Sequence, residues 1–210
     1  MKKLSTLILT PLALVLASPA WATEASDITK DDFYGYHYFK NALDYDQVAK
    51  LESRKAQYRV VARDMKWSSD KLASAVEKYE SVEGDVLELA KAGIEAALAE
   101  SRIKGRGISV EFDASSEKHV VAYVRWRGTA SKDVIKDASA VAHAVSKAAP
   151  FVSTLSLAAI HPKAPDSSKR NVFEGKIGDL AMSRIQENRI EGYADRLYGR
   201  MFEDVKQLPF

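Results

Sequence analysis

Cysteine is missing altogether from this chain of 210 residues. Its absence removes thiol nucleophiles, thiolate zinc sites, iron–sulfur clusters and attached c-type haem in one step. It also means that packing, without disulfides, must hold the fold, which a chain of this length can do. Glycine and proline are scarce, at 10 and 6, so collagen-like and Pro/Gly-rich classes are excluded. No apolar run reaches the roughly 20 residues that span a bilayer, which excludes a polytopic membrane protein. A surplus of one charge is lacking too, with 31 Lys and Arg against 29 Asp and Glu. The familiar catalytic signatures are equally missing: no G-x-S-x-G, H-E-x-x-H, Walker loop or G-x-G-x-x-G occurs.

What is present begins with apolar residues at 46%, enough to offset ordering entropy and exclude a disordered chain. Residues 1–22, MKKLSTLILTPLALVLASPAWA, read as an export signal. Lys2 and Lys3 form a positive start, Leu4 to Leu16 an apolar stretch, and Ala20-Trp21-Ala22 a small-x-small cleavage site. No twin arginine and no lipid-accepting cysteine accompanies it, and cleavage is expected after Ala22. Removing Lys2 and Lys3 from the 31 basic side chains leaves as many bases as the 29 acids. A neutral chain has no general electrostatic affinity for nucleic acid or anionic lipid. The expected localisation is periplasmic or extracellular, with no membrane span left after cleavage.

The rest reads as α+β. Residues 32–102 look all-helical, with a long stretch over about 45–67, then helices that Ser68 or Ser69 and Asp85 can cap. Gly105-Arg106-Gly107 breaks the pattern and enters a hairpin. Ile108, Val110 and Phe112 alternate with polar neighbours, as in a half-buried strand. Residues 119–126, HVVAYVRW, read as its partner. A helix over about 131–149 carries Val134, Ala138, Val141, Ala142 and Val145 on one stripe. Residues 151–160 read as a third strand, parallel to the second through a right-handed crossover. The expected organisation is an N-terminal helical region over 23–84 and an αββαβ module over 85–162. A linker and C-terminal helix follow over 163–210, with the linker at 162–171 and the helix at about 175–206. The element order over 85–161 resembles small periplasmic modules of ring-forming secretion components, and superficially KH-type domains without their G-x-x-G loop. That resemblance transfers no functional residue.

Few residues invite a chemical reading. His37, His119, His143 and His161 show no metal-pair spacing. The many carboxylates suit solvated helix starts. Neither a catalytic residue, a metal site nor a cofactor is assigned. The one local anomaly is DFYGYHYF over 32–39, where Tyr34, Tyr36, His37 and Tyr38 form either a recognition surface or a packed chain start. Trp126, between Arg125 and Arg127, reads either as a sheet-edge contact or as a core residue. Three functions follow in order: an exported envelope protein that acts through contacts with an envelope protein partner, a small-molecule or glycan binder using residues 33–39, and a hydrolase assembled from separated acids and His161. The sequence assigns no oligomeric state.

Overall fold

Caps and breaks divide the helical first half. The computed structural model describes residues 23–208 apart from 52, 130 and 166–169, so the export-signal reading of 1–22 lies outside the described residues. A 3-10 turn at Ala25–Asp27 leads into α1, Lys30–Ala42. Thr29 accepts from the Asp32 backbone N–H while Asp32 accepts from that of Thr29, which satisfies two orphan donors reciprocally. The stretch expected as one helix over 45–67 is two, α2 at Tyr45–Lys50 and α3 at Arg54–Met65. Leu51 turns extended, and the Ser53 side chain restarts the helix by accepting from Ala56 N–H. Ser68 caps α4, Ser69–Glu80, and Asp85 caps α5, Val86–Ala99, as their residue types predict.

Five strands follow: β1 Ser109–Asp113, β2 Val121–Arg127, β3 Thr154–Ile160, β4 Asn171–Gly178 and β5 Glu203–Gln207. They pair in the order β1-β2-β3-β4-β5. β2 and β3 are parallel, joined through α6 at Val134–Ala148, and the other pairs are antiparallel. The α+β class and the parallel second and third strands are therefore as the periodicity predicts.

The C-terminal helix over 175–206 is corrected. That stretch holds the end of β4, then α7 at Asp179–Met182, α8 at Ile190–Leu197 and β5. Ile177, Ala181 and Ile185 have helical spacing, but pairing with β3 draws Ile177 into a strand. There it lies opposite Leu155. Tertiary hydrogen bonding overrides a weak local period here. The linker reading at 162–171 falls partly outside the described residues. The described part is pinned, because Arg127 donates to the carbonyls of Pro162, at 2.9 Å, and Ala164.

The helices that meet the sheet do so through α5 with β1, α6 with β3 and α7 with β4. Into that layer the strands send Val110, Ala122, Val124, Trp126, Leu155, Leu157, Phe173 and Ile177, all buried. A second cluster, Phe39, Tyr58, Val61, Ala62, Leu72 and Val76, lies among α1, α3 and α4. Phe33 joins the helical region to the main core by stacking on Phe151, with ring centroids 5.0 Å apart and 14° between planes. α1 and α4 approach closely at Gly35, where an added Cβ would sit 3.0 Å from the Ala75 Cβ and 3.0 Å from the Trp67 ring.

One charged group sits inside this apolar layer. Asp137 of α6 is fully buried, and its two oxygens accept from Arg102 Nε and Arg106 Nη1, each at 2.6 Å. Arg102 also engages Glu191 of α8 and, at 3.5 Å, Asp133. Burial pushes the Asp137 carboxyl above its ordinary value, and the two guanidinium groups oppose that push. The network ties α6 to the turn before β1 and to α8.

Two outcomes follow. Asp137→Ala leaves two guanidinium groups facing a hole and should lower the unfolding free energy by about 3 kcal/mol. Gly35→Val should cost about 2 kcal/mol by forcing α1 off α4. Urea unfolding followed by circular dichroism measures both; changes under about 0.5 kcal/mol would remove these contacts from the account.

Candidate functional site

Strand side chains alternate between two faces, and among the described residues one face is packed against helices. On the other, strand pairing places residues in rows across the sheet. One row runs Ser109, Arg125, Ala158, Glu174, Lys206, and the next runs Glu111, Tyr123, Ser156, Lys176. A third holds Asp113, Val121, Thr154 and Gly178. β3 thus contributes only Thr154, Ser156 and Ala158 to the middle of this face. β2 contributes Tyr123 and Arg125, and β4 contributes Glu174 and Lys176. Small side chains between large ones form a trough along β3.

Two hollows open on this face. One, of about 580 Å³, is lined by Ser156, Ala158, Asn171, Glu174, Lys176 and Lys206. The other, of about 460 Å³, runs past Tyr123, Thr154 and Ser156 to His119. Its walls are one side chain high, and Tyr123 remains 45% exposed. At one end His119 Nε2 lies 3.3 Å from Thr154 Oγ1. Along the far wall Asn171 donates to Glu174 at 2.8 Å and holds that carboxyl below its ordinary value. Asp204, thrown out of line at a bulge with φ of 52°, takes Lys176 at 2.9 Å. That pairing lowers the Asp204 carboxyl and raises the Lys176 ammonium relative to their ordinary values. Both signs of charge therefore flank an uncharged floor.

The residues singled out by composition lie elsewhere. Tyr34, Tyr36, His37 and Tyr38 are half-buried on α1. Tyr36 stacks on Tyr79 of α4 at 4.0 Å between ring centroids, and His37 Nε2 lies 3.2 Å from the Tyr79 hydroxyl. Tyr34 meets Tyr38 and Trp67 edge to face, and the Lys118 ammonium lies 5.1 Å from the Tyr34 ring. Asn41 donates to Glu117, so α1 also touches the β1–β2 loop. These rings are brought together on α1 and pack on one another and on Tyr79 and Trp67.

Trp126 is not with them. It is 0% exposed on an inner strand, beside Phe173, which leaves it no surface to offer a partner. Its sheet-edge reading is corrected, because strand alternation points it into the helix layer.

The remaining histidines are separate. His143 Nδ1 lies 3.0 Å from the Ile185 carbonyl, and His161 Nδ1 accepts from Lys163 N–H in its own turn. Among the described residues no three His, Asp or Glu side chains converge as a metal site.

Sequence reasoning missed Ser156, Ala158, Glu174 and Lys176 as site residues. The signal was the small-residue alternation T-x-S-x-A at 154–158, which becomes a groove only once β2 and β4 are known to flank it. Comparison with protein-family models, with curated proteins and with solved structures finds no match.

Burial holds His37 below its ordinary value, against the pull of Glu117 and Asp85. A lowered histidine value means that the fold prefers the neutral ring. Its contribution is full above about pH 6.5 and is lost as pH falls from there through the folded value. The chain should therefore lose more thermal stability between pH 7 and pH 5 than His37→Phe does. Equal losses would show that protonation of His37 does not strain the α1–α4 contact.

Proposed function

We propose that this chain is an exported protein of the cell envelope that works by contact with a protein partner, and that the open sheet face makes the contact. The observation that carries this reading is the sheet face itself, a broad, shallow surface that no described helix covers, with small residues at its centre. Small-molecule sites are concave and enclose most of the ligand. A face whose walls are one side chain high suits an extended or flat protein surface better. Tyr123, exposed on this face, is of a residue type enriched at protein interfaces. Support for export is the segment from Lys2 to Ala22, with its positive start, apolar middle and small-x-small end.

The test places a photo-crosslinking residue at position 123 in the full chain within the producing cell. Irradiation should give a covalent protein adduct in the envelope fraction, carrying a chain that begins at Thr23. A fully cytosolic chain that retains Met1, or the absence of any adduct from a folded protein, would defeat the proposal.

A further inference from the structure

Resting on that reading, we propose that the partner binds by strand addition at the free edge of β1, through an extended segment in which basic residues alternate with apolar ones.

The two edges of the sheet differ, and the difference selects β1. β5 is exposed along its whole length and breaks its pairing at a bulge. Its charges are matched within the sheet, Asp204 with Lys176 at 2.9 Å and Lys206 with Glu174 at 3.6 Å. β1 is regular. All 5 of its residues pair in step with β2, and it stands first in the sheet order. Every second residue of such an edge turns both its N–H and its C=O away from the ladder. Among the described residues no other segment gives β1 a further backbone hydrogen bond.

The side chains of β1 specify what fits there. Toward the helix layer stands Val110, buried, between Ile108 and Phe112, which pack against the core yet are only half-buried. The apolar layer thus stops short at this edge, and apolar side chains on an added strand extend it as cross-strand neighbours. Toward the open face stand Ser109, Glu111 and Asp113, all exposed. Asp113 accepts from the Ser115 backbone N–H. Neither carboxylate meets a lysine or arginine of this chain among the described residues. Lysine or arginine at every second position of the added strand supplies that charge directly beside them. A long basic side chain laid over Glu111 also reaches toward Tyr123, which lies opposite Glu111 in the β1–β2 ladder. Strand addition at β1 therefore shields one wall of the open face.

A second copy of this chain does not meet the same requirement. Antiparallel pairing of β1 with itself over its full length centres on Glu111 and sets two carboxylates directly opposite each other. Like charges so placed destabilise a strand pair. The acids that attract a basic strand thus also reject self-association at this edge.

The test uses the chain as isolated from the producing cell and two blocked peptides as long as β1. In one, lysine alternates with valine; in the other, glutamate alternates with valine. Hydrogen exchange is followed amide by amide. At millimolar concentration the lysine peptide should slow the outward β1 amides about threefold or more and leave those of β5 unchanged. The glutamate peptide should protect neither edge. Glu111→Lys combined with Asp113→Lys, both at exposed positions, should reverse the preference with the circular dichroism spectrum unchanged. The proposal is overturned if neither peptide slows the β1 amides, if both do so equally, if protection falls on β5, or if the double variant keeps the original preference. The cellular adduct at position 123 separates this claim from the one it rests on. An adduct with a different protein, from a chain whose β1 accepts neither peptide, overturns strand addition and leaves the contact reading standing. An adduct of twice the chain mass overturns strand addition as well, because the partner is then a second copy. No adduct from a folded protein overturns both.

Discussion

The helices that meet this sheet pack on one side of it, and that asymmetry governs the rest. It turns the two-residue alternation of each strand into a division between core and surface. Val124, Trp126, Leu155 and Leu157 go inward, and Tyr123, Arg125, Ser156 and Ala158 go outward. One face then supplies the stability, since each fully buried large apolar side chain contributes about 1.5–3 kcal/mol. The other is free to vary without loss of core. An open face on an antiparallel or mixed sheet is ordinary in itself; the row of small residues between two taller walls is what makes this one a specific shape.

Two local arrangements keep the covered side covered. Asp137 anchors the turn before β1 and the C-terminal α8 to α6 through Arg102 and Arg106. A charge so deep adds little net stability when paired, but it discriminates strongly against any arrangement that separates the partners. The Phe33–Phe151 stack does similar work for the helical first half, fastening α1 to the loop that enters β3. β5 is the opposite case. It is an exposed edge strand, and its Glu203, Asp204 and Lys206, with the bulge opposite Gly175, discourage further strand addition at that edge.

Legibility in the sequence followed the strength of the periodic signal. The stripe Val134, Ala138, Val141, Ala142, Val145 and the alternation at 108–113 each have one buried face, so period alone identified α6 and β1. β4 was concealed by a bulge. Val172 and Phe173 are both buried because the register with β3 shifts there, which destroys alternation and leaves Ile177 in step with Ala181 and Ile185 by accident. β5 has no buried residue at all, hence no hydrophobic pattern to read. The candidate site divided similarly. Aromatic density made residues 33–39 conspicuous, yet two partners of those rings lie far off in sequence, Trp67 in the turn between α3 and α4 and Tyr79 on α4. The trough was invisible because no single strand contains it, and only the register brings Ser156 between Tyr123 and Lys176.

The central claim, that the open face is a working contact surface, is tested most directly by comparing two tyrosines in one molecule. Tyr123 lies on that face at 45% exposure, and Tyr193 lies on α8 at 57%. Hydroxyl-radical footprinting should modify both in dilute purified protein. In the intact cell envelope, oxidation of Tyr123 should fall sharply relative to Tyr193. Equal reactivity of the two tyrosines in both settings would contradict the account.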